Sequence, residues 1–353
     1  MINRKKIKKY IMELHGKGVT NVEIKKLGSG VQGVGFLVNV STVDGPISYV
    51  IKGLFPSGLG HDYPSDRAGV FLQDLDDFKR LPRHVKAVDV LCEKADGSIK
   101  SIGGGREYYL LMERAGGKHY FNDLEGFSKK ESLEASDIEK IRSMTSYLSK
   151  IHSVKETSRP LYWRKIRDII GHGECLMGVF DTYPDGTISY REMADIEKKC
   201  VDWRARLKKK TERLCQVHGD FHPGNIWFKE KGDFILLDRS RGAYGDAADD
   251  VTALTINYIF FSINYFGDLR GPYREAFSLF FREYLQKTGD TGLLKVLAPF
   301  YAFRGAVIAN PVFYPEVSKV KRRKILNFVH NVLNARSFNP ERANEYLKKG
   351  FKG

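Results

Sequence analysis

The chain has 353 residues, of which 42% are hydrophobic and 29% charged, a composition typical of a globular protein with about two domains. This composition excludes disordered, collagen-like and disulfide-rich proteins, and the longest apolar stretch, residues 254–266, is too short and too often interrupted by polar residues to span a membrane. The 58 Lys and Arg residues against 43 Asp and Glu residues give a net charge of +15, which favours anionic partners such as nucleotides or nucleic acids.

The N-terminus and the cysteines indicate the cellular compartment. Residues 1–16 carry five Lys or Arg residues, but the apolar run Tyr10–Met12 is shorter than a secretory signal requires. The four cysteines have neither CxxC nor zinc-ligand spacing, so we expect reduced thiols rather than disulfides or a zinc site. The sequence therefore predicts a cytoplasmic protein.

The N-terminal part of the chain, residues 1–115, has the pattern of a small β-rich lobe. Apolar alternation interrupted by turn residues predicts antiparallel strands within 22–55. Helical periodicity then predicts a helix over 65–80, and a further pair of strands is expected at 88–92 and 107–112.

After residue 115 the pattern changes to helices and long loops, so residues 116–353 are expected to form a larger, mainly helical lobe. The clearest helix is predicted to begin at Ser136, with a capping box to Glu139, and to end at His152. Further helices are predicted for 249–266, 273–287 and 317–335, with another beginning at the Asn339-Pro340 pair. The predicted fold class is α+β.

A glycine-rich segment follows the first predicted strand. Residues 27–35 contain a GxGxxG pattern formed by Gly28, Gly30 and Gly33, with Ser29 inside it. A dinucleotide-binding fold requires a helix directly after these glycines, but here a strand follows. The segment is therefore expected to connect two antiparallel strands, where backbone N–H groups can cover the phosphates of a nucleotide.

Lys52 lies in an otherwise apolar predicted strand. Because burial of an unpaired ammonium group is costly, an acid is expected to pair with it. On the predicted helix 65–80, Asp74 lies within the apolar arc and Asp66 points away from it. We therefore expect a Lys52–Asp74 ion pair, with Asp66 as the second candidate. Alternatively, Lys52 is an unpaired edge-strand residue and Asp74 a solvated helix charge.

A second cluster lies in a polar loop between two short apolar strands. The loop presents Asp220 and Asn225, and Asp238 ends the second strand. Two carboxylates and an amide are hard oxygen donors that suit Mg²⁺ rather than zinc, and Asp220 remains available to abstract a proton. Two alternatives are a metallohydrolase site with His218, Asp220 and His222 as ligands, and a hairpin turn without chemistry.

This second cluster closely resembles the aminoglycoside phosphotransferase and choline kinase superfamily, a branch of the protein-kinase-like fold. The resemblance covers residues 22–254 and is carried by HGDFHPGN at 218–225, LLD at 236–238, Gly245-Asp246 and Asp250. It implies a two-lobed fold, with a small antiparallel β N-lobe at 1–115 that holds the nucleotide and a larger helical C-lobe at 116–353 that holds the catalytic loop and the substrate pocket.

The resemblance also implies a role for each matched position. Asp220 would be the catalytic base, which orients and deprotonates the acceptor hydroxyl, and Asn225 and Asp238 would bind Mg²⁺. Lys52 would bind the α- and β-phosphates of the nucleotide.

The hinge of the family would follow the β-rich lobe. Met112 would be its gatekeeper, and the backbone of Glu113 and Ala115 would meet the adenine base. His218, together with Asp250, would brace the catalytic loop.

The sequence therefore predicts a Mg²⁺-dependent kinase that transfers the γ-phosphoryl group of ATP or GTP to a hydroxyl of a small molecule. A protein kinase is disfavoured because no Ala-Pro-Glu segment follows Asp238. The alternative is a non-catalytic nucleotide-binding or nucleic-acid-binding regulatory protein. Nucleic-acid binding would rest on charge alone, because the basic runs 208–210 and 321–324 are expected to be solvated helix faces.

The charge also bears on the acceptor. A protein with a net charge of +15 repels cationic compounds at long range, so an uncharged or anionic hydroxyl compound is favoured over an aminoglycoside or choline. Arg239 and Arg241, which follow Asp238, add local basicity that can hold a phosphate or an anionic substrate.

Overall fold

The computed structural model of the chain describes residues 4–29, 33–56, 60–77, 85–105, 114–229, 232–239 and 241–351. The contacts divide the chain into two compact units, Met1–Met112 and Glu113–Gly353. The sequence analysis placed the boundary after residue 115, and the functions assigned to the two parts stay predictions.

The regular elements comprise ten strands and twelve α-helices within the described residues. The strands are β1 (Val19–Ser29), β2 (Gly33–Thr42), β3 (Gly45–Leu54), β4 (Leu91–Glu93), β5 (Ile99–Ser101), β6 (Lys118–His119), β7 (Leu214–Gln216), β8 (Ile226–Phe228), β9 (Phe234–Leu236) and β10 (Tyr244–Asp246). The α-helices are α1 (Arg4–His15), α2 (Pro64–Asp77), α3 (Phe121–Phe127), α4 (Ala135–His152), α5 (Arg159–Gly171), α6 (Leu176–Asp181), α7 (Tyr190–Leu207), α8 (Ala247–Phe266), α9 (Gly271–Thr288), α10 (Ala298–Ile308), α11 (Lys319–Asn334) and α12 (Ala343–Tyr346).

The first unit is built on the antiparallel sheet β1-β2-β3, which confirms the predicted meander. Its core contains alternate residues of β1 and β2, among them Ile24 and Val38, because successive side chains of a strand point to opposite faces. Helix α1 closes this core with Ile7 and Ile11, one turn apart on one face. This helix was not predicted, since its many lysines hide an apolar stripe of only two buried residues.

One predicted strand pair of the first unit is only partly right. Strand β4 pairs antiparallel with β5, which lies in the segment expected to be a connecting loop. The expected partner at 107–112 lies outside the described residues. The predicted helix 65–80 is confirmed as α2 up to Asp77, where the described segment ends.

The second unit is mainly helical, which confirms the α+β fold class. The helices predicted for 249–266, 273–287 and 317–335 correspond to α8, α9 and α11. Asn339 caps a 3₁₀ helix that begins at Pro340, as predicted, by accepting a hydrogen bond from the backbone of Glu341. Helices α5, α6, α7 and α10 were not predicted.

The start of α4 differs from the prediction. The capping box is formed by Glu134 and Asp137 rather than by Ser136 and Glu139. Both pairs have the required three-residue spacing, but Asp137 is buried and bonded at 2.6 Å to Lys130. This extra ion pair favours the earlier start. The predicted end at His152 is confirmed.

The basic run of α11 is not a solvated face. Arg322 is buried and donates to two backbone carbonyl groups, and Arg323 pairs with Glu192. Lys321 and Lys324 donate to carbonyl oxygens at the end of α8. All four side chains are therefore used to hold helices together. The prediction was wrong because sequence spacing does not show which carbonyl groups a neighbouring helix presents.

Two general properties complete the description. All four cysteines are free. Among the helices that the structure describes, none has the length and apolar character needed to cross a membrane.

Candidate active site

The candidate catalytic loop lies in the second unit, between β7 and the hairpin β8–β9. In that hairpin Ile226 pairs with Leu236, and the Leu237 N–H donates to the Asn225 carbonyl at 3.0 Å. The segments that carry Asn225 and Asp238 therefore meet at the open end of the hairpin. The Asn225 side-chain amide donates to the backbone carbonyl of Asp220 at 3.0 Å. Asp220, the third predicted residue, therefore lies beside Asn225.

Asp250, in the first turn of α8, binds the backbone of the candidate catalytic loop. It is fully buried and accepts the backbone N–H groups of His218 and Gly219 at 2.8 and 2.7 Å. His152 of α4 contacts the same carboxylate at 3.1 Å. Although burial raises its pKa, the bonds from His152 and the loop backbone outweigh this effect and hold the pKa of Asp250 below its ordinary value.

The buried His218 closes a turn within the loop. Its ring Nδ1 accepts the N–H of Asp220 at 3.2 Å, while Gly219 between them has φ of +86°. A side chain at position 219 would be strained at that φ. The arrangement places His218 as a brace that sets the direction of the Asp220 backbone.

Arg304 of α10 is the principal partner of Asp220. Its guanidinium donates to the Asp220 carboxylate, to the Gly219 carbonyl at 2.9 Å and to Asp249 at 2.6 Å. Arg304 is only 6% exposed, so these bonds replace its hydration. One side chain thus ties α10 to both the catalytic loop and α8.

The electrostatics keep Asp220 ionised. Burial alone would raise its pKa, but the charges of Arg304 and Arg241 outweigh burial and hold the pKa of Asp220 below its ordinary value. Arg304 bonds to Oδ1, whereas Oδ2 lies 3.9 Å from the nearest nitrogen of His222. Oδ2 is therefore the oxygen that can accept a hydrogen bond from a bound hydroxyl group.

The donor set of Asn225 and Asp238 fits a magnesium ion. The amide nitrogen of Asn225 is used by Asp220, so its side-chain oxygen is the atom left to bind a ligand. Asp238 is exposed and has φ of +54°, the only positive φ of a non-glycine residue in the described ranges. Such a conformation is costly for an aspartate and is typical of functional sites. An amide and a carboxylate oxygen are ligands that Mg²⁺ prefers.

The hydrogen bonds of His218 and His222 argue against the metallohydrolase alternative. Nδ1 of His218 and Nδ1 of His222 accept backbone N–H groups, from Asp220 and Gly224 respectively. A neutral imidazole that accepts at Nδ1 carries its proton at Nε2, which cannot then bind a metal. In the parts of the chain that the structure describes, no group of three or more His, Cys, Asp or Glu side chains is arranged to hold a metal ion.

In the first unit, the sheet register aligns the glycine-rich segment with Lys52. Lys52 pairs with Gly35 on the neighbouring strand, and Gly35 pairs with Gly28 on the next. Gly33 lies two residues earlier, where an added Cβ would be only 2.2 Å from the Gly53 carbonyl oxygen. The segment does connect two antiparallel strands, as predicted.

The environment of Lys52 differs from the expectation. Lys52 is exposed, on the outward face of β3, so no desolvation cost forces it to pair with an acid. Within the described ranges it forms no ion pair with Asp74 or Asp66. Asp66 accepts the backbone N–H of Tyr63 at 2.8 Å, at the start of α2. The Lys52–Asp74 pair stays a prediction.

The structure says little about the remaining residues that were predicted to bind the nucleotide. Gly30, Met112 and Glu113 lie outside the described residues. Ser29 ends β1, opposite Val34, and Ala115 is half-buried.

Sequence reasoning missed two residues of the site. Arg304 is the only charged residue between Ala298 and Ile308, a segment that is otherwise apolar or aromatic, and such an isolated charge is a usable signal. His152 was noted only as a helix end. Nothing near it in the sequence points to Asp250, which is 98 residues away.

Comparison with known proteins gives a family match. The model of a family described as phosphotransferase enzyme family, APH, matches residues 66–286. No curated protein matches the chain.

Three solved structures are similar to the chain at low identity. They are the amicoumacin kinase hAmiN in complex with AMP-PNP, Ca²⁺ and Ami (14% identity, 96% of this chain and 99% of that chain, TM-score 0.41), the Plasmodium vivax ethanolamine kinase (14%, 98% and 88%, 0.35) and the apo form of a thermostable mutant of aminoglycoside phosphotransferase APH(4)-Ia (15%, 90% and 97%, 0.37). The family match covers more than half of the chain, whereas these likenesses are too distant to carry an argument.

Proposed function

The chain belongs to the phosphotransferase enzyme family and is a phosphotransferase with a hydroxyl acceptor, and from this premise we propose that it transfers the γ-phosphoryl group of ATP or GTP to a hydroxyl of a small molecule. The proposed reaction requires Mg²⁺ and uses Asp220 as the base. We further propose that the protein is cytoplasmic, in keeping with its four free cysteines.

The observation that carries the proposal is the state of Asp220. Its Oδ1 is bonded to Arg304, its pKa is held below the ordinary value, and its Oδ2 can accept a hydroxyl group. In the proposed step this carboxylate accepts the hydroxyl proton as the acceptor oxygen bonds to the γ-phosphorus. The bond from that phosphorus to the bridging oxygen breaks, and a nucleoside diphosphate leaves.

Other residues of the chain prepare this step. Asp250 and His218 fix the backbone on either side of Gly219, so that Asp220 presents its carboxylate in one direction. Asn225 and Asp238 would hold a magnesium ion, which neutralises charge on the phosphates when bound. The roles of the glycine-rich segment and of Lys52 in holding the nucleotide remain part of the proposal.

The structure gives less support to a nucleic-acid-binding regulator. That alternative rests on the positive charge of the chain alone, and the four cations of the run on α11 are used in contacts between helices. A non-catalytic nucleotide-binding protein would have no need of a buried arginine that keeps Asp220 ionised.

The test is a phosphate-transfer screen of hydroxyl compounds with ATP and GTP, with nucleoside diphosphate and phosphorylated product both measured. We expect at least one compound to be phosphorylated, with a requirement for Mg²⁺ that EDTA removes. Asp220→Asn should lower kcat by about 10²–10⁴-fold, the usual contribution of a general base, and leave nucleotide binding intact.

The matched control is Asp233→Asn, the same change at an exposed position of the β8–β9 hairpin, which should retain full activity. Full activity of Asp220→Asn would refute the assignment of the base. Nucleotide binding without transfer to any hydroxyl compound would favour the non-catalytic alternative.

A further inference from the structure

Two cations beside the catalytic loop lack a carboxylate partner. They are Lys165, on α5, and Arg241, which follows β9. Neither forms an ion pair with any acid in the part of the chain that the structure describes. The Lys165 ammonium group donates to the backbone carbonyl of Arg241, so the two residues are neighbours.

Arg241 is held in place by apolar and weakly polar groups. Its guanidinium lies over the ring of Phe303 at 4.9 Å, and Nη1 lies 3.9 Å from the sulfur of Cys175. Its Nε is buried without a hydrogen-bond partner. These contacts fix the side chain, but none of them is to an acid at ion-pair distance.

Lys165 likewise has no acid at ion-pair distance in the described parts of the chain. Burial lowers the pKa of Lys165, although the charges of Asp168 and Asp249 act in the opposite direction. A partly buried ammonium group whose protein contact is one carbonyl gains from a neighbouring anion.

Two other buried arginines of the second unit form ion pairs with acids. Arg304 is neutralised by Asp220 and Asp249, and Arg213 by Asp246 and Asp290. A third buried arginine, Arg322, donates to backbone carbonyls instead. In the described parts of the chain the guanidinium of Arg241 has neither an acid nor a carbonyl as partner, and its unused N–H groups indicate that an anion of a ligand binds there.

The position of the pair relates this anion to the reaction. A Cβ atom built on Gly219 would be 3.3 Å from Cβ of Arg241, so Arg241 adjoins the residue that precedes Asp220. The charge of Arg241 acts on the Asp220 carboxylate. Arg241, with Lys165 bonded to its backbone carbonyl, therefore lies beside the loop that would hold the acceptor hydroxyl.

Resting on the proposed function, we propose that Lys165 and Arg241 bind an oxyanion of the acceptor, so that the substrate is a hydroxylated acid carrying a carboxylate or a phosphate group. A guanidinium group binds either oxyanion through two parallel N–H bonds, and an ammonium group adds a point charge. Such a pair would disfavour a polycationic acceptor by like-charge repulsion.

The test compares acceptors that differ in this one group. Glucose, gluconate and glucose 6-phosphate, and likewise glycerol, glycerate and glycerol 3-phosphate, are assayed for phosphate transfer at fixed ATP. We expect transfer to a carboxylate or phosphate member and at least 10-fold lower kcat/KM for its neutral counterpart. The carboxylate and phosphate arms then distinguish the two oxyanions.

Variants assign the effect to the two residues. Arg241→Gln and Lys165→Gln should each raise the KM for the anionic acceptor by about 10–100-fold, the usual value of a hydrogen bond to a charged group, with the KM for ATP within about 2-fold. Arg241→Lys and Lys165→Arg should restore part of the loss, which a folding defect would not allow. Lys198→Gln, which removes one charge from the exposed face of α7, is the control and should change neither KM.

Several results would overturn the inference. If a neutral acceptor is used as well as its anionic counterpart, the proposed function stands and the inference fails. If the two variants raise the KM for ATP or lower kcat equally for all acceptors, the cations act on the nucleotide phosphates and the inference also fails.

A separate readout distinguishes failure of the proposed function. Binding of inorganic phosphate and of gluconate is measured by calorimetry without nucleotide. Binding that Arg241→Gln and Lys165→Gln abolish, in a protein that transfers phosphate to no compound, would preserve the anion site and refute the proposed function. Absence of both binding and transfer would refute the two together.

Discussion

Arg304 connects two carboxylates that are far from each other in the sequence to one buried guanidinium group. Replacing it with Gln keeps a polar side chain of similar length but removes the charge. The change breaks the bonds to Asp220 and Asp249 and leaves both carboxylates without a cation at ion-pair distance in the described parts of the chain. We expect Arg304→Gln to destabilise the second unit and to change how its stability depends on pH.

The magnitude is set by the contacts. Two of the three partners of Arg304 are carboxylates, and a hydrogen bond to a charged group contributes about 1.5–3 kcal/mol. Removing one partner of a buried ion pair costs about 3–5 kcal/mol, because the other charge stays buried without compensation. Both values give a loss of about 4 kcal/mol in the free energy of unfolding at pH 7.

The pH dependence has a definite sign. In the native protein the pKa of Asp220 is lowered, so its contribution to stability is present above the ordinary pKa of an aspartate and is lost only as the pH falls through the lowered value. In the variant, Arg304 no longer opposes burial, so the pKa of both carboxylates rises, that of Asp249 from a value that is already above the ordinary one. The folded variant then binds protons that the unfolded chain does not, so its deficit should shrink between pH 7 and pH 5, by about 1.4 kcal/mol per pH unit for each proton.

Urea unfolding monitored by tryptophan fluorescence measures the stability of the second structural unit, which contains Arg304. All three tryptophans, Trp163, Trp203 and Trp227, lie in the second unit. The control is Arg322→Gln, another buried arginine, whose partners are carbonyl groups only. It should lose stability without a change in pH dependence. A loss below about 1 kcal/mol in Arg304→Gln, or a deficit that stays constant from pH 7 to pH 5, would refute the reasoning.

Three further predictions concern other parts of the chain. Gly33→Ala should loosen the sheet of the first unit, since the new Cβ would lie 2.2 Å from the Gly53 oxygen, and amide hydrogen exchange in β2 and β3 should become about 10–100-fold faster. Burial raises the pKa of Glu192, but the bonds from His330 and Arg323 outweigh it and lower the pKa to about 2, so Glu192→Gln should lose about 2 kcal/mol at pH 7 and progressively less as the pH falls from about 4 towards 2. Lys52→Met should change stability by less than about 0.5 kcal/mol, because the side chain is exposed, and raise the KM for nucleotide at least 10-fold.

Matched controls make each of these decisive. Gly35→Ala adds the same methyl group where the nearest atom is 3.8 Å away, and it should leave hydrogen exchange unchanged. Asp202→Asn alters an exposed acid on the same helix that makes no ion pair within the described ranges, and it should leave acid unfolding unchanged. Lys26→Met removes an exposed lysine of β1 and should not affect the KM for nucleotide. Equal effects in any variant and its control would contradict the corresponding prediction.

The proximity of Asp220, Asn225 and Asp238 in the candidate catalytic loop was predictable because its determinants are close together in the sequence. Asp220 and Asn225 are five residues apart and share a hydrogen bond, and a short hairpin returns the chain to Asp238. Strand alternation likewise predicted the meander of β1 to β3, since one face of this sheet is buried and the other exposed. Patterns of period 2 or 3.6 and local capping signals carry this information directly.

The remaining features depend on contacts between distant segments. Arg304 lies 84 residues from Asp220, and no local pattern states which acid a buried arginine will meet. Exposure of Lys52 depends on which face of the sheet the core covers, and α1 supplies that cover from outside the predicted elements. The shifted capping box of α4 is decided by Lys130, through a contact that competes with an equally good local signal.

The position of α10 has a consequence for protein engineering. The family match ends at residue 286, whereas Arg304 and Phe303 lie beyond it and contact the Asp220 carboxylate and Arg241. A chimaera that exchanges only the family segment between two such proteins would combine a catalytic loop from one parent with an arginine helix from the other. Residues 298–308 therefore have to be transferred together with the loop that they hold.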